Sequence, residues 1–294
     1  MPIPSLEPKQ TFLQLRDLQF AFYEWGDTDK PTLFLVHGWM DTGASFKYMA
    51  PELVEHFHLI SFDLRGFGYS DHVPSGYWFP DYYADLDAIL EHFSSDDAVN
   101  LVGHSMGANI SLMFSGIRPE RVSKVMALDW IGLPETTPKD ASKRFRSWLN
   151  QLRLGEPTKI YQDLETLKKS IRKGNPSFSE EVIDEIIPLW TKPFGNDGQI
   201  MLLGDHKHRN TNPIRYNFDD VVEIWNEVTA QVGLVMASDS FYRKMMDVEQ
   251  RVKIIREALS IKDDHYSVLK DSHHMLHIEK PVETAERIIS FFRD

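Results

Sequence analysis

Cysteine is absent from the 294 residues. That removes disulfides, thiolate catalysis and cysteine-bearing zinc sites from consideration, and it fits a reducing, cytoplasmic setting. No apolar run approaches the roughly 18 residues needed to span a bilayer, so no membrane span is expected. The N-terminal stretch MPIPSLEPKQTFLQL lacks a basic segment followed by an apolar one, so no signal peptide is expected either. Basic residues are in deficit: Lys and Arg number 32 against 44 Asp and Glu, a net charge of −12. Such a surface repels phosphate backbones, which argues against nucleic-acid binding; its plain consequence is solubility. Internal repeats and low-complexity segments are also missing. What remains is an ordinary globular composition, 42% apolar, able to bury a large core.

Short apolar runs alternate with longer helical patterns. Thr32–Val36, His58–Asp63, Val99–Val102 and Lys124–Asp129 read as buried strands, and Tyr82–Phe93 as a helix between two of them. This alternation predicts an α/β fold with a mostly parallel sheet flanked by helices. Functional loops then belong at the carboxyl ends of the strands. Each run does end in a polar or glycine-rich cluster: HGWMD, DLRGFGYSD, GHSMG and DWIGLP. After Pro134 the pattern changes. Residues 134–217 are charged and helical in period, with Trp148, Leu149, Leu152 and Tyr161 as apolar anchors, Ser179 as a helix N-cap and no strand-rich run. They read as a helical cap inserted between core segments 1–133 and 218–294. The core resumes with Val232–Met236 and closes with an amphipathic helix over Val282–Phe292.

Gly103-His104-Ser105-Met106-Gly107 is a G-x-S-x-G motif between the apolar strand VNLV and the helical ANISLMFSGI. The turn must be so sharp that its central residue is strained, which pushes Ser105 Oγ out at the strand end. The Met106 amide sits at a helix N-terminus, where it can stabilise an oxyanion. A second oxyanion donor is expected from the loop after an earlier strand, and His37-Gly38-Trp39 offers the Trp39 amide. An ordinary turn with a buried tryptophan is the plainer alternative for that segment.

Of the 12 histidines, those in Ser272-His273-His274-Met275-Leu276-His277 follow a strand-like YSVL and precede a helix. A histidine is the natural general base near neutral pH, and His274 is the candidate. His277 lies about a turn further on, where it could satisfy a buried group. Histidines at this spacing can share a metal, but no H-E-x-x-H pattern accompanies them, so neither metal nor cofactor is expected. His206 and His208 read as solvated. The orienting acid has two candidates: Asp129, ending the strand before DWIGLP, and Asp239, after VGLVMA. A G-x-x-D loop usually supplies it, yet Ala237-Ser238-Asp239-Ser240 puts serine in that place and aspartate one position early. Asp129 is therefore favoured. Asp63 and Arg65 read as loop anchors.

HGW, DLRGFGYSD, GHSMG and SHHMLHIEKP, in this order, resemble the α/β-hydrolase superfamily over nearly the whole chain. HGWMDTGASF, GYWFPDYYADLDAIL and LDWIGLP look like a bacterial branch near the serine hydrolase-like proteins, which carries an acidic residue at the position of Asp129. Some haloalkane dehalogenases and cofactor-free dioxygenases of this fold also place their acid there. Dehalogenases, however, have aspartate at the elbow where this chain has Ser105. His273 departs from the usual glycine, and Asp239 is shifted. The resemblance implies a serine hydrolase needing no cofactor: Ser105, His274 and Asp129 as triad, Trp39 and Met106 as oxyanion donors, and a small or medium apolar acyl ester as substrate. Cofactor-independent oxygenation or C–C cleavage on the His–Asp pair, and ligand binding without catalysis, are the alternatives. Oligomeric state is left open.

Overall fold

The computed structural model describes residues 6–155, 158–195 and 197–293; Met1–Ser5, the start of the stretch read above for a leader, lie outside them. Eleven strands occur among these residues: β1 (Lys9–Leu15), β2 (Leu18–Trp25), β3 (Thr32–Val36), β4 (His58–Phe62), β5 (Val99–His104), β6 (Val122–Leu128), β7 (Ile160–Tyr161), β8 (Thr191–Phe194), β9 (Gln199–Leu202), β10 (Gln231–Ala237) and β11 (Tyr266–Leu269). The helices are α1 (Ala50–Leu53), α2 (Phe79–Phe93), α3 (Met106–Ile117), α4 (Ala141–Leu154), α5 (Leu164–Gly174), α6 (Glu180–Trp190), α7 (Phe218–Asn226), α8 (Val248–Ala258), α9 (Leu276–Glu279) and α10 (Pro281–Arg293).

Eight strands form one sheet in the order β1-β2-β4-β3-β5-β6-β10-β11. β1 and β2 pair antiparallel, as do β2 and β4; every later pairing is parallel. The central strands are apolar on both sides because both faces are covered. In β3, Leu33 and Leu35 pack with α1 and α10, while Phe34 and Val36 pack with α2, α3 and α7. The same two-residue alternation divides Leu101 from Val102 and Leu234 from Val235, as a pleated strand requires. Each such side chain removed from water stabilises the fold by about 1.5–3 kcal/mol.

The N-terminal hairpin of β1 and β2 had no counterpart in the sequence reading. Its alternation is blurred, since β2 is buried on both faces whereas β1 is largely exposed at the sheet edge. Between Pro134 and Asn217 lie α4, α5 and α6, as the charged helical pattern suggested. They are joined by a second, antiparallel sheet in the order β7-β9-β8, where no strand was expected. These strands hold two to four residues each, too few for a period to register. Ser179 does cap α6, accepting from the Val182 amide at 3.3 Å. Tyr161 is a buried anchor, but Leu149 and Leu152 are not: they are 55% and 50% exposed.

Candidate active site

β5 ends in Gly103-His104, and α3 begins at Met106. Ser105 alone makes the turn, with φ 50° and ψ −112°, a conformation costing on the order of 1–3 kcal/mol unless packing enforces it. The glycines are what permit the turn. A Cβ on Gly107 would lie 2.0 Å from the Val36 carbonyl oxygen, and one on Gly103 would lie 2.5 Å from the Ala108 amide. The helix is thereby seated directly against β3. The Met106 amide heads α3 and the Trp39 amide follows β3. Among the described residues neither donates a hydrogen bond within the protein.

The loop after β11 carries His274. Its Nδ1 lies 2.7 Å from Asp129 Oδ2. Asp129 sits at the end of β6 with φ 40°, fully buried, and its carboxylate also accepts from the Ala237 amide at 2.9 Å and the Ser240 hydroxyl at 2.7 Å. The carboxylate is thus oriented from three sides. Asp239, the rival, is exposed; its carboxylate accepts from Ser238 next door and does not reach His274. Ser240 is the serine standing where the acid was sought, and here it supports Asp129. Glu279 fixes the histidine loop by accepting from the His273 and Met275 amides at 2.9 and 3.2 Å.

Ser105, His274, Trp39 and Met106 line one cavity of about 710 Å³. Ser105 Oγ makes no hydrogen bond to His274 among the described residues, and the Tyr242 phenol lines the same cavity. Burial holds that phenol neutral well beyond its ordinary range. Loose nucleophile–base geometry is common before substrate binds. Phe241 and Tyr242 pack edge-on to the His274 ring, at centroid distances of 4.5 and 5.7 Å. Sequence reading missed Ser240, Phe241 and Tyr242. The displaced aspartate just before them was the available signal.

The three clustered histidines do not converge. His273 Nδ1 meets Glu279, His274 meets Asp129, and His277 Nε2 lies 3.0 Å from Asp41 Oδ2. A different trio does gather beneath Ser105: Asp41, His104 and His277 place donor atoms within 4.8 Å of one another. Within it Asp41 and His277 are hydrogen-bonded to each other, and the His104 ring packs against His277 at a centroid distance of 4.6 Å. Asp41 also accepts from Trp190 Nε1 of α6 at 2.7 Å and from Ser45 at 2.9 Å, while His104 Nε2 donates to the His274 carbonyl at 2.8 Å. The histidines around Asp41 hold its carboxyl well below the usual range.

His37 is buried; its Nε2 accepts from the Leu64 amide at 2.9 Å, and burial lowers its pKa to about 4. His208 is not solvated. It is stacked between Phe67 and Tyr77 at 3.8 and 3.7 Å, and burial lowers its pKa to about 3. His206 is half-buried on the cavity wall. Asp63 anchors loops, accepting from the Gly43 and Tyr69 amides and the Tyr23 hydroxyl, and Arg65 pairs with Asp85.

A strained serine between a parallel strand and a helix, with a buried Asp–His pair from later strand ends, is the arrangement of the α/β hydrolases. The family model for the alpha/beta hydrolase fold matches residues 31–200, and the chain belongs to that family. A serine hydrolase-like protein of Danio rerio is 26% identical over 276 residues, spanning 92% of this chain and 83% of its own. A hypothetical protein of Pseudomonas aeruginosa PAO1 superposes with a TM-score of 0.85 at 24% identity, over 98% of this chain and 100% of its own. The thioesterase domain from the curacin biosynthetic pathway superposes with a TM-score of 0.82 at 22% identity, covering 97% and 100%. The family and the relatives support a hydrolase. Among the described residues no helix is long and apolar enough to cross a membrane.

Proposed function

We propose that this protein is a serine esterase hydrolysing apolar acyl esters through an acyl-enzyme on Ser105. The observation that carries the reading is the strained Ser105 facing the same cavity as His274, whose other ring face of contacts includes Asp129 at 2.7 Å. In this reading Ser105 Oγ attacks the acyl carbon as His274 Nε2 takes its proton. Asp129 holds the tautomer and stabilises the imidazolium. The Trp39 and Met106 amides stabilise the oxyanion. His274 then protonates the leaving alkoxide, and water releases the acyl group by the same steps in reverse.

Residues 134–217 act as the cap between core segments 1–133 and 218–294. The cavity supports an apolar substrate. Trp78, Phe79, Trp130 and Trp148 line it, and among the described residues no acidic side chain does. The test is labelling by a fluorophosphonate together with turnover of p-nitrophenyl esters of increasing chain length. Both should be lost in Ser105→Ala, turnover by a factor of about 10³ or more. Ester turnover that persists undiminished in Ser105→Ala would remove Ser105 as nucleophile, and wild-type protein that neither labels nor turns over any ester would favour oxygenase or C–C cleaving chemistry on the His274–Asp129 pair, or ligand binding without catalysis.

A further inference from the structure

α4 contradicts the charge of the molecule that carries it. The chain is acidic overall, at −12, yet α4 (ASKRFRSWLNQLRL) holds Lys143, Arg144, Arg146 and Arg153 and no acid; Asp140, its N-cap, is the acid beside it. Its apolar residues are also misplaced for a packed helix. Phe145, Leu149 and Leu152 recur at positions i, i+4 and i+7, so they form one stripe, and they are 49%, 55% and 50% exposed. At 100° per residue, Arg146 and Arg153 flank the outer edge of that stripe, with Lys143 next to them. Arg144 faces inward instead and donates to the Asn212 carbonyl.

The stripe is continuous with the cavity. Leu152 lines the mouth, as do the half-exposed Trp39, Phe241 and Met245. A helix with an exposed apolar stripe bordered by basic residues has the chemistry of a segment that lies in a lipid headgroup layer. A second copy of this chain would bring the same basic residues against these.

We propose that α4 is an interfacial helix by which the protein docks reversibly on an anionic lipid surface, its cavity mouth turned toward the acyl chains. An amphiphilic acyl substrate then passes from bilayer to cavity past Leu152. That last step rests on the esterase reading; the docking does not.

The test is co-sedimentation of the intact protein with vesicles of phosphatidylcholine alone or with about 30 mol % phosphatidylglycerol, an anionic content sufficient for a basic patch to sense. Binding is expected to the anionic vesicles only, and to fade as salt rises from about 0.05 to about 0.5 M. Arg146→Gln with Arg153→Gln should weaken partitioning about 25-fold, near five-fold per charge. Phe145→Ser with Leu149→Ser should weaken it by at least about ten-fold. Both variants should keep wild-type circular dichroism, melting temperature and hydrolysis of a water-soluble ester. Vesicle binding as described without any ester turnover would uphold docking while removing the esterase reading. Wild-type protein that stays in the supernatant with anionic vesicles would overturn docking. So would a wild-type dimer that Phe145→Ser with Leu149→Ser converts to monomer without vesicle binding, since the stripe would then be a contact between copies.

Discussion

Two aspartate–histidine pairs lie three residues apart on the same C-terminal segment. Asp129–His274 closes at 2.7 Å and Asp41–His277 at 3.0 Å. By distance alone they are equivalent. They differ in what surrounds them. The His274 side chain is 22% exposed and faces the cavity; that of His277 is fully buried. Asp129 engages Nδ1 and leaves Nε2 for another proton, whereas Asp41 engages Nε2 and leaves His277 Nδ1 buried with no hydrogen-bond partner among the described residues. A carboxylate beside an imidazole therefore does not by itself mark a catalytic pair; of the two, only the His274 pair opens on the cavity that Ser105 lines. The sealed pair ties together the loop after β3, the loop after β11 and, through Trp190, α6.

The comparison predicts first that the open pair controls turnover. Asp129→Asn should lower kcat/KM by about 10³–10⁴ while leaving the fold intact. Asp239→Asn should stay within about two-fold, because its side chain is solvated. A reversal of the two values would remove the proposed role of Asp129. The sealed pair, in contrast, should control stability. Asp41→Ala removes the carboxylate that pairs with the fully buried His277 and accepts from the half-buried Trp190 indole, and breaking such a pair costs about 3–5 kcal/mol. That corresponds to a fall of roughly 10 °C in melting temperature. Ester hydrolysis measured well below the new midpoint should drop by less than in Asp129→Asn.

The smallest effect concerns His208, which is wedged between aromatic rings with the Gly66 carbonyl and the Tyr82 hydroxyl as partners. Its pKa is lowered to about 3 in the folded protein, so it stays neutral there while the unfolded chain takes up a proton near 6.5. Its stabilising contribution is complete above pH 6.5 and is lost as pH falls toward 3. His37 shares the sign, as does His104. His208→Phe should therefore reduce the slope of unfolding free energy against pH by up to ~1.4 kcal/mol per unit between pH 6.5 and 4. An unchanged slope would place the proton uptake elsewhere.

Much of the central sheet was legible because its strands are buried on both faces and end in glycine or polar residues. Thr32–Val36 and the run from Val99 were readable for that reason, and GHSMG between a strand and a helix located the turn at Ser105. That Asp129 and not Asp239 meets His274 was legible less directly, through the serine that displaced the expected acid; that Ser240 then bonds Asp129 needed the loop's three-dimensional path. The exposure of Leu149 and Leu152 was not legible at all. A helical period states which residues share a face, but not whether anything packs on it. His208 was misread for a similar reason: its environment is built by Phe67 and Tyr77, more than 100 positions away in sequence.

The Ser105 turn also has a consequence for how reactivity and folding are related. Its backbone angles are imposed by the seat that Val36, Gly103, Gly107 and Ala108 form together, and these residues belong to β3, β5 and α3. A chain in which those three elements have not yet docked has no reason to hold φ at 50°. The hydroxyl is then an ordinary alcohol. On the esterase reading, reactivity at this serine is a property of the assembled sheet, so that an activity-based label, applied during synthesis or refolding, would serve as a clock for the moment the central strands close.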